Sequence, residues 1–245
     1  MDADPDRPPV DLRRRALDLP ERMDADDADL EMLERTYERF RYVNAILSGR
    51  GGVYRREIAP RARRGAIRVL DIGCGGGDIA RYVARRLQRD GRRAEVVGAD
   101  IDPRAVRWAA DADHEGLVQW RCLSSSDLVA EGERFDVVLS NHVLHHLTAS
   151  QLGGLLDDSE RLTAPGGIAV HSDIARSVTA YALFGGLTLP LAGTLLKGSF
   201  IREDGMLSIR RSYTAAELTA AVPPGWRVQR RLPSRLMLVR AGHLV

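Results

Sequence analysis

The decapeptide Val69-Leu70-Asp71-Ile72-Gly73-Cys74-Gly75-Gly76-Gly77-Asp78 constrains the fold of this chain more than any other segment. An apolar run that enters a glycine-rich turn and leaves it as a helix is a ligand-binding device. The glycines let backbone approach a ligand closely, and the free amides at the helix start supply donors. Asp78 stands where G-x-G-x-x-G, counted from Gly73 and Gly75, requires a third glycine, so the spacing is not that of a dinucleotide fingerprint. No Gly-Lys-Ser/Thr follows, which excludes a phosphate loop.

From this turn the chain alternates. Ile67 to Ile72, Glu95 to Ala99, Val118 to Cys122, Phe135 to Ser140 and Gly167 to His171 read as strands. Ile79 to Gln88, Arg104 to Ala112 and Ser150 to Leu162 read as helices between them. Alternation of this kind predicts parallel pairing with right-handed crossovers and helices on both sheet faces. Trp226 to Leu232 and Arg235 to Arg240, about Pro233-Ser234, read as an antiparallel hairpin. Thr214 and Glu217 stand at the cap and third positions of a further helix. The expected fold class is therefore α/β, a doubly wound, mostly parallel seven-stranded sheet with a reversed last strand, a helical N-terminal extension and an apolar helical insertion after the fifth strand.

Three divisions follow. Residues 1–27 are polar and lack apolar periodicity, which predicts a mobile tail. Residues 28–60 carry Leu33, Tyr37, Phe40, Val43 and Leu47 at helical spacing, then a second short helix over Val53 to Ala59 ending at Pro60. Residues 61–245 hold the main domain, with an insertion over 174–212. Within that insertion Val178 to Leu196 carries no charge, but its glycine and proline interruptions argue against a membrane span.

A net charge of +2, with arginines scattered along the chain, makes no nucleic-acid surface. Two distant cysteines, one of them inside the glycine turn, and an N-terminus without an apolar signal core predict a reduced, cytoplasmic protein.

Asp100 ends the second strand beside the glycine turn, where a carboxylate can accept both hydroxyls of a ribose. Asp102-Pro103 already fits the cap of the next helix, which leaves Asp100 free for that role.

The pattern Asp71-x-Gly73-x-Gly75-x-Gly77, the acidic end of the second strand, Ser126-Asp127-Leu128, Phe135 to Ser140 and Arg161-Leu162-Thr163-Ala164-Pro165-Gly166-Gly167 together resemble the class I S-adenosylmethionine-dependent methyltransferases. The resemblance runs from about Ile67 to Asp173. It implies S-adenosyl-L-methionine as cofactor, no metal, and cofactor contacts at Asp71, Gly73, Cys74, Gly75, Gly77, Asp100, Ile101, Ser126, Asp127, Asn141 and His142. Asp127 would face the adenine amino group; read from the residues alone, it is equally a loop carboxylate or helix cap.

After the fourth strand, Ser140-Asn141-His142-Val143-Leu144-His145-His146-Leu147 lacks the Pro-Pro-aromatic sequence of enzymes that methylate planar amines. It resembles small-molecule methyltransferases, in which a histidine near this position takes the acceptor's proton. That implies catalysis by His145 or His146, with Asp173 orienting the ring; the bland reading is that both histidines cap the next helix. Phe40 to Ser48 is partly similar to a segment of the ubiquinone/menaquinone methyltransferases, with Arg41 in place of their aspartate. Tyr37, Phe40 and Tyr42 then become lid residues or plain core. The expected reaction is O-methylation of a hydrophobic phenolic or polyketide-like small molecule, with C-methylation of a quinone-like ring as the alternative. The uncharged insertion implies an apolar acceptor, or a shallow contact with the membrane that holds it.

Overall fold

The computed structural model describes residues 10–242; the first nine residues of the expected tail lie outside them. Seven strands, β1 (Ile67–Ile72), β2 (Ala94–Asp100), β3 (Gln119–Cys122), β4 (Phe135–Asn141), β5 (Thr163–Ile174), β6 (Arg227–Arg231) and β7 (Arg235–Ala241), form one sheet in the order β3-β2-β1-β4-β5-β7-β6. The first five pair in parallel, and β7 runs antiparallel to both its neighbours. The reversed last strand thus stands as expected. Strand order reverses at β1, between β2 and β4, so a crevice opens beyond the carboxyl ends of these strands.

Ten helices flank the sheet: α1 (Leu30–Leu47), α2 (Arg50–Val53), α3 (Ala59–Ala62), α4 (Asp78–Arg89), α5 (Pro103–Asp111), α6 (Ser125–Ala130), α7 (Ala149–Leu162), α8 (Val178–Thr188), α9 (Ile201–Arg211) and α10 (Ala215–Ala221). Strand side chains alternate between two cores. Val69, Val137, Leu139 and Val170 meet α4 and the α2–α3 arm on one face. Leu70, Val138 and Ala169 meet α6, α7 and α10 on the other. Each fully buried leucine contributes about 1.5–3 kcal/mol. Caps fall where the sequence placed them: Asp102 accepts from Arg104 N before Pro103, and Thr214 and Glu217 close a reciprocal box.

The boundaries at the two ends of the chain differ from expectation. The helix expected over Val53 to Ala59 runs from Arg50 to Ala62, with a π-helical turn at Tyr54–Ile58, and passes through Pro60. Proline is tolerated there because it opens the α3 turn, where its missing N–H is not needed. This arm buries Tyr54 and Ile58 in the main core, so of the expected N-terminal helical lid it is α1 that lines the crevice. Residues 10–27 of the tail expected to be mobile are laid across the molecule as a strap that leads into α1. Arg15 donates to the carbonyls of Arg211, His145 and Leu147, and Asp204 accepts from Arg22 N and Met23 N. Polarity concealed this segment because backbone groups, rather than apolar side chains, hold it. In the insertion, α8 and α9 pack on Phe40, Val43 and Leu47 of α1. None of the described helices is long and apolar enough to cross a membrane.

Gly77 holds φ 74° at the start of α4, and a Cβ there would stand 2.2 Å from the Trp120 ring. Gly77→Ala is expected to cost about 2–4 kcal/mol in chemical denaturation, from left-handed strain and overpacking together. A double-mutant cycle with Trp120→Leu should return a coupling of about 1 kcal/mol or more. Additive effects would mean that the ring is not what confines this position.

Candidate active site

A cleft of about 1020 Å³ opens at the switch point, large enough for a nucleoside cofactor and an acceptor together. Its floor is the glycine turn. Gly73 N and Cys74 N donate to Ala99 O, which draws the turn against the end of β2. Gly73, at φ 65°, has no room for a Cβ beside Val143, whereas Gly75, at φ 51°, faces open space. Gly76 carries the Tyr37 ring of α1 directly on it. Gly77 does not line the cleft; its neighbour there is Trp120, so its expected cofactor role becomes one of packing and helix entry.

Asp100 lies at the end of β2 with Oδ2 accepting from Gly75 N at 2.8 Å and Oδ1 from Asp102 N at 2.9 Å. Both oxygens are oriented and retain a lone pair toward the cleft, the arrangement a ribose diol requires. Ile101, 75 % exposed, forms the rim beside it. Cys74 is buried, and burial, with Asp71 and Asp100 close by, pushes its thiol well up. Asp71 is buried, and its Oδ2 has no hydrogen-bond partner among the described residues. Burial, followed by the charges of Asp78 and Asp100, pushes its carboxyl well above the usual range. An orphaned carboxylate lining a cleft is matched by a cationic ligand group, and the ammonium of S-adenosylmethionine is one. With the open cradle at Gly75 and the oriented Asp100, these residues fit that cofactor.

Ser126 lines the cleft with Oγ on Asp158 Oδ2, and Ser125 shares the same oxygen. Asp127 does not line it. Its carboxylate is turned back onto Ser124 N and Oγ as the α6 capping box, in contact with solvent. Three residues from a serine cap, this aspartate answers the helix rather than the ligand. Tyr42, too, lies outside the cleft, half-exposed against Arg41.

Beyond β4 the chain turns sharply. His142 takes φ 60°, a left-handed conformation that a non-glycine residue holds only where the surroundings enforce it. Its N–H donates to Ser172 O. The ring, 28 % exposed toward the cleft, sets Nδ1 3.5 Å from Asp173 Oδ1. Burial lowers its pKa despite Asp173.

His145 is placed quite differently. Its Nδ1 stands 3.0 Å from both oxygens of Asp173, its backbone N–H donates to Asp173 Oδ2, and its Nε2 lies 3.3 Å from Glu21 Oε1. Burial alone would discharge this imidazole, but the two carboxylates hold its pKa up to about 10. Against their own burial, His145 in turn brings Glu21 down to about 2 and Asp173 well below the usual carboxylate range. With both nitrogens engaged and the ring cationic, His145 is not the free base expected of it. His146, partly exposed, stacks on His145 with centroids 4.1 Å apart and faces Asp24 at 3.1 Å. Two trios, Glu21 with His145 and His146 and His142 with His145 and Asp173, hold ligand-type atoms within 4.8 Å of one another. His145, common to both, is bonded to a carboxylate on each side.

Glu21, Asp158 and Asp204 also line the cleft, as do Asn44 and Asp78, which bond each other across α1 and α4. Sequence reasoning missed Glu21, Asp158, Asn44 and Asp78 as site residues: Asn44 and Asp78 stand inside the Phe40–Ser48 segment and the glycine decapeptide without a role of their own there, whereas Glu21 and Asp158 lie in no motif. Asp204, in the insertion, reads from sequence as either a polar contact at the pocket mouth or a solvated loop residue, and it lines the cleft. His171 is buried on Ser140 Oγ beside Trp226, with burial taking its pKa to about 3.

The histidines impose opposite pH dependences on stability. His171 stabilises above its unfolded pKa near 6.5, and that contribution is lost as pH falls toward 3. His145 stabilises below 6.5, and its contribution is lost as pH rises through about 10. The melting temperature should therefore fall on both sides of neutrality. In His145→Gln the alkaline decline should flatten; an unchanged alkaline limb would refute the charged state of His145.

Residues 69–167 match the family model described as a methyltransferase domain. Over 119 residues the chain is 41 % identical to a ubiquinone biosynthesis O-methyltransferase of Cereibacter sphaeroides, covering 48 % of this chain and 45 % of that protein. Over 147 residues it is 35 % identical to the enzyme of the same name from Roseobacter denitrificans, covering 59 % and 55 %. The chain thus spans about half the length of the curated relatives it matches. Among solved structures, the plantazolicin methyltransferase BpumL in complex with SAH superposes with a TM-score of 0.56 at 12 % identity, covering 87 % of this chain and 95 % of that one. Magnesium protoporphyrin IX methyltransferase from Synechocystis with bound SAM gives 0.52 at 16 % identity, over 91 % and 88 %. The glycine cradle, the carboxylate ending β2 and the reversed seventh strand agree with these matches, which support a class I S-adenosylmethionine-dependent methyltransferase similar to those of ubiquinone biosynthesis, with the methyltransferase-domain match at residues 69–167.

Proposed function

We propose that the protein methylates a hydroxyl of a hydrophobic phenolic small molecule, with His142 as the base. The observation that carries this reading is an Asp173–His142 pair opening onto a chamber walled by Phe40, Val43, Leu47, Ile174, Phe184 and Ile201. The bound cofactor would supply an electrophilic methyl group on a sulfonium that is already a good leaving group. The acceptor must therefore be held in line and lose its proton, and little else is required of the protein.

Asp173 can accept from His142 Nδ1–H and so select the tautomer that leaves Nε2 with a free lone pair. A phenol O–H at Nε2 would give up its proton there as the oxygen bonds to the methyl carbon and the carbon–sulfur bond breaks. The burial that lowers the His142 pKa keeps the ring neutral and ready for this at pH 7. The apolar walls exclude water and favour an aromatic ring. The name shared by the curated relatives agrees with an oxygen acceptor. His146, the surviving member of the pair expected from sequence, stands beside the strap on Asp24 and is the comparison residue for the test.

Val178, Leu183, Leu187, Leu189, Leu191 and Leu195, on α8 and the turns after it, are exposed, with Leu187 at 62 %. Exposed apolar side chains on and after the helix that supplies Phe184 to the chamber wall support a shallow contact with a membrane that stores such an acceptor.

His142→Ala is expected to lower kcat for a phenolic acceptor by about 10²–10⁴-fold, with S-adenosylhomocysteine affinity unchanged in calorimetry. His146→Ala should keep most of the rate, and incubation with candidate phenols should add the mass of one methyl group. Full turnover in His142→Ala would sink the assignment of the base. Leu187→Glu should reduce co-sedimentation with phosphatidylglycerol vesicles; equal sedimentation of variant and parent would dismiss the membrane contact.

A further inference from the structure

Arg235, on the reversed strand β7, is buried, and no carboxylate pairs with it among the salt bridges of the described residues. Its guanidinium instead donates to three neutral oxygens: the carbonyl of Leu47 at the end of α1, the Ser172 hydroxyl on β5, and Asn141 Oδ1 on β4 at 2.7 Å. Burial lowers even this guanidinium, to about 10, against the favourable but more distant charge of Asp173. A buried cation without a counter-ion is costly, and one set on three neutral acceptors fixes whatever it holds.

What it fixes is the orientation of an amide. A guanidinium has only donors, so the Asn141 atom that faces it must be the oxygen. The amide nitrogen then turns the other way. Asn141 lines the cleft, and its Nδ2 makes no hydrogen bond to the described residues and is not sealed in the interior, so it is accessible to a ligand. Asn141 therefore offers a ligand an N–H donor and not an acceptor.

The sheet register says which part of a ligand lies there. Asp71 pairs with Leu139, so Asn141 stands one strand over and two residues further along, on the same sheet face. Backbone to backbone this is about 8 Å, from roughly 4.8 Å across and 6.6 Å along. An α-amino acid bridges such a gap when its ammonium meets one side chain and its carboxylate the other. Asp71 has the unpartnered oxygen for the ammonium. The competing donor on this wall, Asn44 Nδ2, is already committed to Asp78.

We infer that Asn141 binds the carboxylate of the methionyl end of the cofactor through its amide N–H, and that Arg235 is the positioning residue that holds the amide in that orientation. Because Arg235 also holds Leu47 O, the same guanidinium ties the end of α1 to the methionyl subsite. The inference rests on the cofactor alone and is independent of the acceptor and of His142.

The test compares two ligands that differ at the methionyl end, S-adenosylhomocysteine and 5′-deoxy-5′-methylthioadenosine, by calorimetry on the full chain. Asn141→Asp gives Arg235 a carboxylate partner but turns an acceptor toward the cleft. It should melt at or above the parent temperature and lose about tenfold or more in S-adenosylhomocysteine affinity, with methylthioadenosine affinity within about twofold of the parent. Asn141→Ala, which adds no charge, should show a smaller loss confined to the same ligand. Arg235→Lys should lower the melting temperature and again weaken S-adenosylhomocysteine selectively. Parental S-adenosylhomocysteine affinity in both Asn141 variants, or equal losses for the two ligands, would overturn the inference.

Discussion

One buried chain of alternating charge, Glu21–His145–Asp173, holds the site half of this protein together. Each member comes from a different part of the chain: the strap, the turn after β4, and the end of β5. A buried carboxylate is unfavourable without a cation, and a buried imidazolium is unfavourable without an anion, so no member is at ease until the other two arrive. The strap owes its course to this exchange. Several of its other ties, from Arg211, Arg104 and Asp204, run through the strap's own backbone carbonyls and amides and would hold many sequences equally well. Glu21 is the buried member among the side chains that select the register, with Asp24 on His146 and Arg15 over the Tyr213 ring beside it.

The same chain divides labour among the histidines. Asp173 is shared by His145, which is charged and closed off, and His142, which is neutral and open to the cleft. Two rings within reach of one carboxylate are driven to opposite states by what lies on their far sides. His145 meets a second carboxylate, and His142 lies toward the Arg235 guanidinium and the cleft. Sequence spacing could not separate them, since both follow β4 within five residues.

The sheet and the cofactor floor were legible in the sequence because their determinants are local. The apolar run into Gly73–Gly77, the β/α alternation and the Asp102-Pro103 cap each act within a few residues, and each stands where expected. Gly77 and Asp127 were located but misread. Trp120, 43 positions away, is what demands the glycine, and Ser124, three positions away, is what claims the aspartate. The strap and α9 were illegible for a different reason. Their residues are polar because they are held by hydrogen bonds to distant backbone, and polarity on its own looks like solvent exposure. Glu21 and Asp204 carry no motif, and their burial comes from the strap meeting α9 and the turn after β4, Glu21 on Ser208 and His145 and Asp204 on Arg22 N and Met23 N.

The two halves of the cleft therefore differ in kind. The cofactor half carries Asp71 and Asp100, with carboxyls raised by burial and by one another, and Asp78 raised by burial against Asn44 and Arg50. An unliganded floor of this sort is electrostatically unsatisfied, and a ligand bearing a sulfonium and an ammonium relieves it directly. The acceptor half is the reverse. Glu21, Asp24 and Asp204 each already meet a histidine or a pair of backbone amides, and what remains open is apolar wall and one neutral imidazole. Charge thus favours a cationic cofactor on the floor, while the upper chamber would, on the proposed reading, select by shape and hydrophobicity. On the proposed reading, in-line transfer would use that division, with the methyl donor held by the charged floor and the acceptor by the apolar wall.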